Sequence, residues 1–187
     1  MALTQFRHSI QASKANHQQV YQDRNRPMTV EYIAAITQRY SALGYSPYRW
    51  HYAEELPPFT PPKKPLSQAR LGVLSTSGAY VCGQVAYHYK DDTSVREIPT
   101  STPTKDIRFA HITENYLVDP RQDPNCILPI EALRRLDEEG YIGELAPALF
   151  SCMGGVYSQR RVREELIPDI AARFVEQKVD VAYLVAM

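Results

Sequence analysis

Val179-Asp-Val-Ala-Tyr-Leu-Val-Ala-Met187 is the stretch whose reading decides the fold. It is a short apolar run rich in β-branched and aromatic residues, and it directly follows an amphipathic helical pattern over 159–177. A helix feeding a short, nearly continuous apolar strand is the second half of a βαβ unit, whose parallel strands are buried on both faces. The predicted class is therefore α/β, a three-layer domain with a mainly parallel, Rossmann-like or flavodoxin-like sheet. Ligands of such sheets bind beyond the carboxyl ends of the strands. Chemistry is expected where this strand arrives, at Met187.

The remaining composition narrows the class. A chain of 187 residues with 44% hydrophobic and 22% charged side chains supports one good core. Its 21 basic and 21 acidic residues cancel. No long-range attraction for nucleic acid or an anionic membrane follows from that balance. No apolar run reaches the roughly 20 residues of a membrane span, and the amino end, Met-Ala-Leu-Thr-Gln-Phe-Arg-His, lacks a signal-peptide core. The cytoplasm is the expected compartment. Cys82, Cys126 and Cys152 are odd in number and widely spaced. No CxxC pair and no HExxH occurs, so no metal site is expected.

Three segments are expected: a helical arm over 1–56, a proline-rich strap over 57–68 and the α/β domain over 69–187. In the arm, residues 1–26 are polar and Pro27 punctuates them. Thr29 suits the cap of a helix carrying Tyr32, Ile33, Ile36, Tyr40 and Leu43 on one face and ending at Gly44. That helix is expected to pack on the body or on a neighbouring subunit. An aromatic stretch with Trp50 and His51 leads to Leu56-Pro-Pro-Phe-Thr-Pro-Pro-Lys-Lys-Pro-Leu66, too rich in proline for a helix interior or central strand.

Within the domain, Arg70-Leu-Gly-Val-Leu-Ser75 is the first buried strand and Ile107-Arg-Phe-Ala-His-Ile112 the second. Arg96-Glu-Ile98 is a short extended piece. Pro129 opens a helix with Ile130, Leu133 and Leu136 inward and Gly140 at its end. Ile142–Pro147 reads as a connector, and Leu149-Phe-Ser151 as a short strand. Ser158 caps a last helix carrying Val162, Leu166, Ile170, Ala171 and Phe174 inward, and Pro168 is expected to kink or restart it.

If the strands are parallel, the segments following Ser75, Ile107–Ile112 and Ser151 converge at one sheet edge beside the end of the final strand. Ser75, Thr76, Ser77 and Gly78 form a small polar loop whose amides and hydroxyls suit an anion, although no nucleotide-loop motif is present. His111 is placed to act as acid or base, and Glu114 to join the ligand-binding set. Cys152 lies between a strand and a glycine pair preceding a helix, where a helix amino end favours thiolate. A small packing thiol is the other reading of Cys152, and a structurally bonded ring that of His111.

The blocks Pro58–Gly78, Ser94–Pro99, Ile107–Ile112, Asp123–Leu136, Ile142–Pro147 and Met153-Gly154 together resemble the glycine/sarcosine/betaine and D-proline reductase selenoprotein B family. The resemblance covers residues 57–187, with the order of blocks kept. It implies a subunit of an oxidoreductase that cleaves a C–N bond of a small amine or amino acid, with a dithiol as reductant. A selenocysteine or cysteine attacks the carbon bearing the amine, and a pyruvoyl group on a partner subunit binds the substrate amine. The resemblance puts the selenocysteine loop after the final strand, beyond Met187. Selenocysteine is encoded by a codon otherwise read as stop, so the chain is expected to be cut short there.

No cofactor is expected on the chain itself, and an oligomer with a pyruvoyl-type partner subunit is. The sheet is expected to be incomplete, with the last strand offering an unpaired apolar edge. The alternative reading is a non-catalytic binding or scaffold subunit that uses the loop at Ser75–Gly78.

Overall fold

The strand expected at 70–75 forms over those residues (β1, Arg70–Ser75) and organises the sheet. The computed structural model describes residues 31–47, 52, 54, 56 and 60–187. The expectations for the polar arm 1–26, the Thr29 cap, Trp50 and His51 lie outside the described residues, as does the start of the strap at 57–59. The chain divides into two compact units, Met1–Tyr52 and Ala53–Met187. In the first unit, α1 (Tyr32–Ala42) forms at the expected place, but none of its residues is buried. Gly44, with φ +86°, follows its end as expected.

In the second unit β1 is paired on both sides. On one side it runs parallel to β7 (Val181–Val185), in register from Leu71↔Val181 to Ser75↔Val185. On the other side its amino half pairs in parallel with β5 (Glu144–Leu145) and its carboxyl half with β6 (Ala148–Ser151). β3 (Arg96–Pro99) adds to β6 antiparallel. The short strand β5 lies inside the segment read as a connector. Its two residues alternate exposed and buried, a pattern too brief to register as a strand in sequence.

The expected strand over 107–112 is shorter than its apolar pattern and lies elsewhere. β4 (Ile107–Phe109) pairs antiparallel with β2 (Ala79–Val81) in a separate two-stranded ribbon. The chain leaves β1 at Gly78, whose φ of +65° turns it into β2. An added Cβ there would lie 2.2 Å from the Ala110 carbonyl oxygen.

Each face of the sheet has its own core. Leu71, Val73, Leu145 and Leu149 pack with Ala79, Ile107 and Phe109 of the ribbon and with Ile130 and Leu133. The last two belong to α3 (Ile130–Glu138), which begins just after Pro129 as expected. The short α2 (Val118–Gln122) lies between ribbon and α3 in sequence. On the opposite face Leu74, Phe150 and Cys152 pack with Leu166, Ile170 and Phe174. Leu166 belongs to a π-helical turn (Val162–Leu166) that follows the short α4 (Gln159–Arg161), and Ile170 and Phe174 to α5 (Ile167–Glu176). The Ser158 hydroxyl accepts from the Arg161 amide at 3.4 Å, making the expected cap. Pro168 lies just after the π-helical turn within one continuous helical run, and the helix continues through it instead of restarting. Ala171, expected inward, is exposed.

Replacing Gly78 by alanine combines a left-handed φ with a backbone collision, so G78A is expected to cost upward of about 2 kcal/mol. Gly83 also has positive φ, at +97°, but open space around it, so G83A is expected to cost about 1 kcal/mol or less. Urea unfolding of the two variants measures the difference.

Candidate functional site at the carboxyl edge of the sheet

β6, β1 and β7 lie side by side in that spatial order, although β1 comes first in the chain. The order of connection reverses at β1, and the carboxyl ends of β1 and β7 flank the resulting crevice. Thr76 occupies that position. Its amide donates to the Val185 carbonyl at 3.0 Å, and its hydroxyl accepts from the Met187 amide at 2.9 Å. Ser77 and Met153 form an isolated antiparallel bridge. Gly154 completes the junction: a Cβ on it would sit 2.8 Å from the Thr76 carbonyl oxygen and 3.0 Å from both His111 Nε2 and the Met187 carbonyl oxygen. Thr76, His111, Gly154 and Met187 thus meet at one place.

The loop predicted to cradle an anion is closed on itself. The Gly78 amide donates to the Cys152 carbonyl and the Cys152 amide to the Ser75 carbonyl, each at 3.0 Å. The Ala79 amide donates to Ser151 Oγ at 2.8 Å. Ser75 and Ser77 are fully buried, with their hydroxyl oxygens 2.8 Å apart. A hydroxyl carries one proton, so Ser75 donates to the Ile127 carbonyl at 2.9 Å and accepts from Ser77. These groups tie β1 to its neighbours. Of the four loop residues, Thr76 is the one with a half-buried side chain at the crevice.

His111 is buried between two backbone amides. Its Nδ1 lies 3.1 Å from the Thr113 amide nitrogen and 2.6 Å from Thr113 Oγ1, and its Nε2 is 3.2 Å from the Gly154 amide nitrogen. A neutral imidazole has one ring N–H and one acceptor nitrogen. With the proton on Nδ1 it donates to the Thr113 hydroxyl and accepts from Gly154. With the proton on Nε2 it accepts from Thr113. Burial holds the ring below its ordinary pKa, against the nearby Glu114 charge and a backbone bond to Thr76, which act the other way.

Beyond His111, Ile112, Thr113, Glu114, Asn115 and Tyr116 line a surface cavity of about 360 Å³. Glu114 pairs with Arg121 of α2. The Thr113 and Arg121 roles were not read from sequence. The signals were present: a hydroxyl two residues after the histidine, and a cation seven residues, or two helical turns, after the carboxylate.

Cys152 has the surroundings of a packing thiol, the second of its two sequence readings. The thiol is buried against Leu74, Phe150 and Leu166, and that burial pushes its pKa up to about 11. The helix expected to support a thiolate starts at Gln159, seven residues later. Cys82 and Cys126 are exposed. Among the described residues no group of three or more His, Cys, Asp or Glu could hold a metal ion, and no helix is long and apolar enough to cross a membrane.

Two measurements follow from this geometry. Iodoacetamide at neutral pH is expected to label exposed Cys82 first, Cys126 more slowly because its pKa is raised, and Cys152 only on unfolding, as read by peptide mass spectrometry. Because folding disfavours protonation of His111, its contribution to stability is complete above about pH 6.5. That contribution is lost as pH falls through the lowered folded-state value. Thermal melts between pH 8 and 5 are expected to show this loss, flattened in H111Q.

Residues 87–187 match the family described as glycine/sarcosine/betaine reductase selenoprotein B. Over 130 residues the chain is 32% identical to the D-proline reductase subunit gamma of Acetoanaerobium sticklandii, an alignment covering 70% of this chain and 53% of that protein. The chain thus spans about half the length of that relative. No solved structure matches it significantly. The family match takes in β3, the ribbon strand β4, β6 and β7, and with them His111, Glu114, Cys152 and Gly154. On that extent of similarity, more than half of its length, the chain belongs to the glycine/sarcosine/betaine reductase selenoprotein B family.

Proposed function

We propose that this chain serves a reductase that cleaves the C–N bond of a small amine or amino acid of the glycine, betaine, sarcosine or D-proline class. The observation that carries this reading is the position of the family match: it covers His111–Tyr116, Cys152–Gly155 and the end of β7, the segments that gather at the carboxyl edge. In the proposed reaction the C–N bond breaks, the carbon gains hydrogen and the nitrogen leaves as the amine. A dithiol supplies two electrons and two protons and becomes a disulfide. A pyruvoyl-type partner subunit would bind the substrate amine.

The chain's own residues would orient the substrate and handle protons. Glu114 and Arg121 offer a carboxylate and a guanidinium side by side, matched to the ammonium and carboxylate of a zwitterion. His111, held neutral, would exchange a proton at the leaving nitrogen through Nε2 or the Thr113 hydroxyl. Cys152 and Cys126 do not fit the role of the attacking selenol or thiolate. Cys152 is buried with a raised pKa. Burial and the neighbouring Asp123 and Asp119 charges also raise that of Cys126. No step is assigned to them.

The same thiol burial favours a second reading in which the chain binds or positions without supplying the nucleophile. The test is reconstitution with pyruvoyl-type partner subunits and dithiothreitol, following the loss of D-proline, betaine, sarcosine and glycine. Turnover that depends on this chain is expected, lowered on the order of 100-fold by H111A and retained by C152A. No turnover with any of the four would remove the catalytic reading. Substrate binding by calorimetry, abolished in E114Q, would then support the binding role.

A further inference from the structure

The loop between β6 and α4 forms one wall of the crevice. Met153 is buried and bridged to Ser77. The Gly154 amide nitrogen lies 3.2 Å from His111 Nε2. Gly155 packs on the next residue along: a Cβ on it would sit 2.2 Å from Ile112 Cγ2 and 4.0 Å from His111 Cε1. Ile112 in turn lines the cavity. A side chain at either glycine would collide with this surface and lift the loop off the histidine.

The far end of this loop is held from a distant part of the chain. Asp91, in the polar loop before β3, accepts through Oδ1 from the Tyr157 amide at 2.7 Å and the Ser158 amide at 3.0 Å. Neither amide belongs to the first turn of α4, which the Ser158 hydroxyl caps. The carboxylate therefore fixes the loop and not the helix end. Asp91 itself has a φ of +48°, a left-handed conformation that aspartate tolerates better than most side chains. Arg161 holds it there. Its guanidinium donates to the Asp91 carbonyl and to Thr93 Oγ1, and Glu165 braces it.

We propose that Asp91 is a positioning residue of the crevice, clamping the loop 153–158 so that Gly154 stays seated on His111. This rests on the proton-handling role proposed for His111. Released at Tyr157 and Ser158, the loop lifts from Ile112 and admits water to the imidazole. The ring then leaves the orientation set by Gly154 and Thr113. Misplacing a reacting group by about 1 Å costs on the order of 100-fold in rate. Glu114 and Arg121 lie outside the loop and keep their pairing. Losing Asp91 acts on His111 in two ways of opposite sign. Removing a negative charge lowers the proton affinity of the ring, whereas restoring hydration raises it. Glu114 and the Thr76 carbonyl, which face the ring, favour its charged form in either case.

The test compares Asp91→Gly, which suits the left-handed φ but removes the acceptor, with Asp91→Asn, which keeps an acceptor oxygen and loses the charge. The histidine-labelled full chain is titrated by NMR without partner or substrate, and H111Q assigns the resonance. In D91G the His111 midpoint is expected to rise towards the ordinary value of about 6.5, and in D91N to stay low. In the reconstituted enzyme D91G is expected to lower kcat about 10- to 100-fold with KM little changed, and D91N to retain most of the activity. If D91G does not fold, as read by circular dichroism, Arg161→Gln carries the same expectation, because it frees the Asp91 carbonyl at the surface. A His111 midpoint unchanged or lowered in the folded variant would overturn the clamp, as would an equal rise in D91N. A raised midpoint with no turnover by any form supports the clamp and removes the catalytic reading instead.

Discussion

The burial of β1 on both faces and its pairing on both sides is the constraint on which the rest depends. Leu71, Val73 and Leu74 serve two separate cores through alternate side chains of one strand. Loss of contact on either face would expose apolar surface worth about 25 cal/mol per Å². The backbone is committed as well, since partners occupy both sides along its length. The strand can therefore leave the sheet only at its end, and Gly78 makes that exit possible. Ser75 and Ser77, buried with complementary hydroxyl partners, fix the exit without leaving a polar group unsatisfied.

Surface charges set how the outer layers sit on this centre. Arg161 donates to Glu165, to Thr93 Oγ1 and to the Asp91 carbonyl. The Asp91 carboxylate in turn accepts from the Tyr157 and Ser158 amides at 2.7 and 3.0 Å. This network joins the polar loop before β3 to the start of α4. Arg173 does the same further along, holding both Asp169 and Glu97. Exposed pairs contribute little singly, about 0–1 kcal/mol. Their effect is on register: they fix which flank of the helix meets β3 and which is left towards β7.

The crevice inherits its chemistry from this packing. His111 follows the ribbon and not the main sheet, yet the close approach of Gly154 brings it to the end of β1. Burial lowers the pKa of its ring against the opposing pull of Glu114 and Thr76. The thiol of Cys152 is one residue past β6 and faces the helix layer, so it packs where a nucleophile would need solvent.

Much of this was legible in residue order. The extent of β1, the strand at β6, the helix starts at Pro129 and Ser158 and the apolar composition of β7 all follow from local rules of propensity, capping and periodicity. The gathering of the segments after Ser75 and Ser151 follows from parallel topology, whereas His111, which follows the antiparallel ribbon, reaches them through the close approach of Gly154. Three matters were decided by tertiary structure. The partner of β4 is β2, because the turn at Gly78 carries the chain out of the sheet before it can add a strand. The two residues of β5 become a strand only because β1 offers them an edge. The state of Cys152 and the loop amides depends on neighbours distant in sequence. Thiol pKa and amide availability are set by desolvation and pairing, and no local pattern encodes either.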